Sequence, residues 1–354
     1  MKMINPYFRF FTLSYTIQAS LRMSNIKLVL LLFLIGYHPV LGQFVVSEDG
    51  WLEKLSVQSA LPDKLLSTRS AAFYNYTLTT KELSQVQLAF QRTGIDAIIY
   101  FEMDKLFASK DVTKGFGDYL LKREITNLVF IEKNDQGYRL TITPFSGKEN
   151  VIEPKQAAWS ATNRVLSELL RTVHTTAANQ HKKQNLLVND APETDAKIEF
   201  ILGKRNEFFA TDLKVDPLAV PKTGDEAIDK ELEEIFKVNY PLKFKMTEAG
   251  IPEKELRKQG QLYVLCFIHA RGSIAKELLG YDMTKSESAL LSVTYPNGKQ
   301  QLKNIPSNTP VFKFYFKHID SGNVFLGTKW DADVTWQQAL INQIKGMKLE
   351  LRID

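Results

Sequence analysis

Asp331-Ala332-Asp333 is the nearest this 354-residue chain comes to a chemical motif. Two carboxylates two residues apart in a loop can hold a divalent cation through oxygen ligands. No third carboxylate lies in that loop, and Asp333 stands just before an amphipathic stretch opening at Trp336. A side-chain oxygen there would satisfy free backbone N–H groups and suit the helix dipole, so Asp333 is expected to cap a helix. A second candidate is electrostatic. Lys313, Tyr315 and Lys317 share one face of a strand, and Lys329 and Trp330 follow closely. Together they could offer a basic, aromatic surface to a glycan or an anionic partner, a solvated sheet face being the plainer alternative.

The remaining candidates are weaker. Cys266 and His269 lie three apart on a strand, so they face opposite sides and cannot pair within it. His269-Ala270-Arg271-Gly272-Ser273 ends a central strand, where α/β proteins often form sites. Ser273 is equally placed to cap a short helix over residues 274–279. His174 and His181 have no carboxylate or cysteine at a fixed spacing, and His318 shares the parity of Phe312, Phe314 and Phe316, as a residue at a core edge would. The sequence contains no phosphate loop, no Gly-x-Ser-x-Gly elbow, no His-Glu-x-x-His and no paired-cysteine site. No cofactor or bound metal is expected, and no catalytic set emerges.

The elements that must position these residues are well patterned. Residues 311–317 alternate as a strand with its phenylalanines on one face. Asp320-Ser321-Gly322-Asn323 supplies a turn, and Val324-Phe325-Leu326 returns. Trp336, Leu340, Ile344, Met347 and Leu351 recur at helical spacing, so a closing helix can cover the phenylalanine face. Upstream, residues 262–270 are apolar on both faces and belong at a sheet centre. Residues 291–305 read as a hairpin around Pro296-Asn297-Gly298. Thr223 and Glu226 have capping-box spacing ahead of a helix with Ile228, Leu232, Ile235 and Phe236. Cys266, the only cysteine, sits among apolar neighbours and excludes an internal disulfide.

In the first half, Thr79 and Glu82 form another capping-box pair, Gly94 stops that helix, and residues 95–101 form a covered strand. A helix over about 110–124 and a hairpin around Asn134-Asp135-Gln136-Gly137 follow. Trp159, Thr162, Leu166, Leu169 and Val173 then suggest a long helix. The expected fold is therefore α+β or α/β. It would comprise two two-layer domains with mixed, largely antiparallel sheets, over 43–178 and 197–354, joined by a polar linker over 179–196. The second would carry an antiparallel meander and the closing helix. The similar element order of the halves, each ending on a tryptophan-bearing helix, suggests an internal duplication. In layout alone, the first half resembles the amino-terminal α/β domain of the TolB family. The whole chain is similar to uncharacterised exported proteins of Bacteroidota-type bacteria, which share no activity. Neither resemblance carries a residue across.

Export is the main functional expectation. Lys27, the apolar run 28–35, Gly36, Pro39 and small residues before Gln43 make a secretory leader, with a start at Met23 and a cut after Gly42. Residues 1–22 would be an upstream extension. Cleavage removes Lys2, Arg9, Arg22 and Lys27 but no acidic residue, leaving 41 basic against 40 acidic residues. That balance gives no drive toward nucleic acid, and no membrane span is expected once the leader is gone. The reading is a soluble periplasmic or secreted protein that binds a protein or glycan partner of the envelope. The alternative is a hydrolase or transferase using Asp331, Asp333 and His318 or His269.

Overall fold

The computed structural model describes residues 48–283 and 288–353, so the expected leader lies outside them. A short helix α1 (Glu48–Leu52) leads into β1 (Ser56–Gln58) and β2 (Arg69–Tyr74). Helix α2 (Thr80–Thr93) starts as its sequence demands. The Thr79 hydroxyl accepts from Glu82 N at 3.3 Å, and Glu82 Oε2 accepts from Thr79 N at 2.7 Å. Then come β3 (Asp96–Glu102), α3 (Met103–Leu106), α4 (Lys110–Lys122), β4 (Ile125–Asn134), β5 (Gly137–Pro144), β6 (Ala157–Asn163) and α5 (Leu166–Gln180). Gly115 interrupts the helical composition of α4 for a packing reason. A Cβ there would sit 2.9 Å from Glu199 O, where residues 198–200 cross the helix.

Trp159 corrects the expectation of one long helix, since it lies on β6, paired with Ile142 of β5. The helix begins only at Leu166, so Trp159 and Trp336 do not hold equivalent places.

The second half supplies β7 (Arg205–Asn206), β8 (Leu218–Pro221), α6 (Glu226–Asn239), β9 (Phe244–Thr247), α7 (Glu253–Lys258), β10 (Tyr263–Arg271) and α8 (Gly272–Leu278). The hairpin β11 (Ala289–Thr294) and β12 (Gln301–Pro306) follows, then β13 (Pro310–His318), β14 (Val324–Phe325) and α9 (Trp336–Leu351). Two expected caps move. Asp225, not Thr223, caps α6 by accepting from Ala227 N and Ile228 N, while the Thr223 hydroxyl turns to Asp229 Oδ1 at 2.7 Å. Ser273 lies inside α8, behind Arg271 at the N-cap, and its N–H donates to Ser307 O.

Two six-stranded sheets result, ordered β1-β6-β5-β4-β2-β3 and β7-β14-β13-β10-β8-β9. Counting each sheet's strands along the chain, both orders are 1-6-5-4-2-3. The sense of each neighbouring pair also matches: parallel, antiparallel, antiparallel, parallel, parallel. The sheets are thus mixed. Three of the five neighbouring pairs in each sheet are parallel, and α2 and α6 provide the long connections for β2–β3 and β8–β9. The β11–β12 hairpin is an insertion between the fourth and fifth strands of the second sheet.

Helices α2 and α5 cover one face of the first sheet, where Val86, Phe90, Leu169 and Val173 pack on Val129, Ile131 and Leu140. Helices α6 and α9 cover one face of the second, setting Leu232, Phe236, Leu340, Ile344 and Met347 against Phe314 and Phe316. The opposite faces of the two sheets share a single core, in which Phe73, Phe101, Phe116 and Phe130 join Ile268, Ala270, Val311 and Tyr315. Residues 189–193 run along the free edge of β3, where Asn189 N reaches Asp96 Oδ1 and Glu193 pairs with Ile99.

Candidate functional site

Strand β13 alternates as its sequence dictates, but its second face is not an open basic surface. Lys313 is 0% exposed, Tyr315 1% and Lys317 8%. The expected glycan-facing or solvated face is therefore corrected, because the shared core and helices α4 and α7 lie over it. Lys317 reaches Asp111 Oδ2 of α4 at 3.0 Å and Glu253 Oε1 of α7 at 2.8 Å. Burial alone would lower its ammonium pKa, but the two carboxylates outweigh burial and hold it above the usual lysine range. Across the register from Tyr315 lies Cys266, whose thiol burial pushes well above its ordinary value.

Lys313 ends differently. Its ammonium contacts Leu326 O at 2.8 Å, Gln343 Oε1 at 2.6 Å and Asp331 Oδ1 at 2.6 Å. Two of its N–H donors thus meet hydrogen-bond acceptors, and the Asp331 carboxylate stands beside it as its ion-pair partner. Burial pulls the Lys313 pKa down against the opposing pull of Asp331, and burial pushes the Asp331 carboxyl up.

The segment carrying Asp331 is held by its neighbours. Val293 N donates to Trp330 O at 2.8 Å, Ser292 Oγ to Ala332 O at 2.5 Å, and Asn342 Nδ2 of α9 to Asp331 O at 3.1 Å. Asp333 pairs with Phe312 of β13 through both backbone groups. Its side chain meets Lys303 Nζ at 2.8 Å and Val334 N at 2.8 Å. Asp333 is thus no helix cap. Thr335 occupies the N-cap of α9, which has no side-chain cap bond. The two aspartates each take their own lysine instead of sharing a cation. Among the described residues no group of three or more His, Cys, Asp and Glu side chains gathers as a metal site.

Of the other expected surface residues, Trp330 is 8% exposed and meets Tyr281 edge-on, with ring centroids 5.2 Å apart. Lys329 is exposed and donates to Gln300 at 2.9 Å. The histidines of the rival catalytic set are spread out. His269 stacks on Phe312 at 4.0 Å between ring centroids. His318 lies six residues further along β13, about 20 Å away at strand spacing, and takes Ser321 N on its Nδ1. His174 meets the Thr93 hydroxyl at 3.1 Å.

Beside the Lys313–Asp331 pair opens a cleft of about 220 Å³, lined among others by Phe209, Tyr295, Thr328, Asp331, Gly346 and Leu349. Lys329 and Glu350 also border it. Asp331 and Lys329 were legible as candidates; Tyr295, Gly346 and Phe209 were not. Gln343 had a signal: it stands three after Leu340 and four before Met347, inside the apolar stripe of α9. Asn342 is fully buried too, and also accepts from Tyr295 N. A second, more open cavity of about 400 Å³ lies where residues 187–189 cross the first sheet. Its charges are already paired: Arg69 with Glu124, Arg123 with Glu193, and Asp96 with Asn189 N.

Compared with known protein families, characterised proteins and solved structures, the chain matches none.

Proposed function

We propose that this is a soluble, exported protein of the cell envelope or extracellular space, which binds a small ligand or a partner group without turning it over. The observation that carries the reading is the cleft beside Asp331, whose floor is fixed by hydrogen bonds from Ser292 and Asn342 and by the ion pair to Lys313. A site held in place before binding loses little to ordering when the ligand arrives. Lys313 supports binding over catalysis, since a fully buried ammonium held by two acceptors and an ion pair is poorly placed to exchange protons with a substrate. The leader expected over 23–42 and the near-neutral body its removal would leave support export. Among the described residues no helix is long and apolar enough to cross a membrane. A hydrolase or transferase at the same cleft is the second reading, favoured by the upward push on the Asp331 carboxyl, a perturbation also common at catalytic groups.

The test is recovery of the tagged protein from its native cells, with amino-terminal sequencing and native mass spectrometry. The expected result is a chain beginning at Gln43 outside the cytosol, with bound mass that a Leu349→Trp variant loses. A chain retaining residues 28–42, or recovered with cytosolic enzymes, would overturn the export reading. Turnover of a screened substrate that Asp331→Asn abolishes while the fold persists would favour the enzyme.

A further inference from the structure

We infer that the cleft takes a small, neutral, hydroxyl-rich ligand, a single sugar ring or comparable polyol; this rests on the cleft being a binding site. Size is the first constraint. Pockets for drug-sized ligands run roughly 300–1,000 Å³. At about 220 Å³ the cleft lies below that range, which suits one ring rather than a chain.

Charge is the second. Each ionic group bordering the cleft already has a partner. Asp331 is matched by Lys313, Glu350 Oε1 accepts from Phe209 N, and Lys329 donates to Gln300. Of these ions only Asp331 faces an opposite charge; Lys329 is exposed and Glu350 part-exposed, where an ion pair gains little against the hydration a ligand ion gives up.

Hydrogen bonding is the third. The Tyr295 side chain is 3% exposed, and its hydroxyl has no partner. A buried, unmade hydrogen bond of this kind costs on the order of 1–3 kcal/mol. Opposite it in chemistry is the Asp331 carboxylate, an acceptor. Neighbouring hydroxyls on one ligand can accept from a phenol and donate to a carboxylate together. Phe209 and Leu349 give the apolar wall against which the C–H face of a sugar ring packs.

Gly346 is the independent observation. It stands inside α9, where glycine is destabilising by roughly 0.5–1 kcal/mol relative to alanine. Packing does not require it, because a Cβ there would meet nothing outside the helix closer than Asp331 Oδ2 at 3.8 Å. The missing side chain leaves cleft volume open.

The experiment measures binding to the mature protein by saturation-transfer NMR and calorimetry. The neutral probes are glucose, galactose and N-acetylglucosamine; glucuronate and glucosamine are the charged counterparts, and benzyl alcohol is the apolar control. At least one neutral sugar should bind, with its charged counterpart weaker. Tyr295→Phe should weaken it about 3- to 10-fold, the loss of one hydrogen bond. Gly346→Leu should abolish binding, and Leu349→Trp at the exposed rim provides a second blocked cleft should the first variant fail to fold. Absence of binding by every neutral sugar, or neutral-sugar binding that survives both blocked clefts, overturns the inference. A charged or apolar probe that binds more tightly and is lost on blocking overturns the ligand class while leaving the cleft a binding site. If blocking affects no probe of any class, both readings fall.

Discussion

The two sheets share a strand order and a pattern of strand senses, and they differ in what is spliced between the shared elements. In the first half, β4 turns into β5 through residues 135–136, and β6 reaches α5 through 164–165. In the second, the corresponding connections are residues 272–309, which hold α8 and the hairpin, and residues 326–335. Tyr295 comes from the first of these, and Gly327, Thr328, Lys329 and Asp331 from the second. The shared scaffold thus provides cores and edges, while the cleft forms where the added segments meet α9, which supplies Gly346, Leu349 and Glu350. Loops set on a rigid sheet are where folds ordinarily carry sites. The contrast extends to charge. Among the described residues the first half buries one charged side chain, Asp104, whereas the second buries Lys313, Lys317, Asp331 and Asp333, most of them around its added segment.

The sharpest way to break that contrast is to remove Asp331. Asp331→Ala strands the Lys313 charge in a dry setting and is expected to cost about 3–5 kcal/mol of stability, read from thermal or urea unfolding. The paired change Lys313→Met with Asp331→Leu should recover most of the loss, since replacing both members of a buried pair is often neutral. A loss below about 1 kcal/mol for Asp331→Ala alone would show that the added segment does not depend on its ion pair.

Lys317 tests the contact between the halves, having one carboxylate from each. Lys317→Met should cost about 1.5–3 kcal/mol, as for hydrogen bonds to charged groups. A double-mutant cycle with Asp111→Asn isolates the contribution that crosses between the sheets. The sign in pH follows from the raised pKa. Its stabilisation is fully present below the ordinary lysine range and is lost as pH climbs through the raised value. A coupling energy of zero would mean that the two carboxylates merely tolerate the lysine.

The smallest effect is expected in the first half, at Glu82. Burial pushes its carboxyl up, but hydrogen bonds from Lys133, Tyr138 and Thr79 outweigh burial and bring the pKa down to about 2. Its ionised form stabilises the fold above its ordinary value of 4.5, and that stabilisation disappears as the pH falls toward 2. Wild type and Glu82→Gln should therefore converge in urea stability across that window, with ligand binding in the cleft unchanged. A change in binding would tie the first half to the site after all.

Much of the scaffold is legible from short-range pattern. The alternation of β13, the Thr79–Glu82 box, the hairpin around Pro296-Asn297-Gly298 and the stripe of α9 all appear where their spacing puts them. Where a local signal had a competitor, it went astray. Trp159 fits a helical stripe as well as a strand, and pairing with β5 decided for the strand. Asp333 resembles a cap until Lys303, thirty residues away, arrives to bind it. Of the candidate site, Asp331 and its neighbours were visible as a loop with paired carboxylates. The partners that give them meaning, Tyr295, Asn342 and Gln343, come from separate elements.

By itself, the sequence determined the periods of its strands and helices, the turns between them, and which side chains share a face. Those properties depend on residues within a few positions of one another, and backbone geometry makes them nearly automatic. Tertiary structure alone decided what each face meets. The Lys313 face of β13 could have met water, and it became interior because the first half and the segment 326–333 lie over it. Whether a lysine is solvated, paired or sealed depends on groups brought together from far along the chain, and no local spacing encodes their arrival.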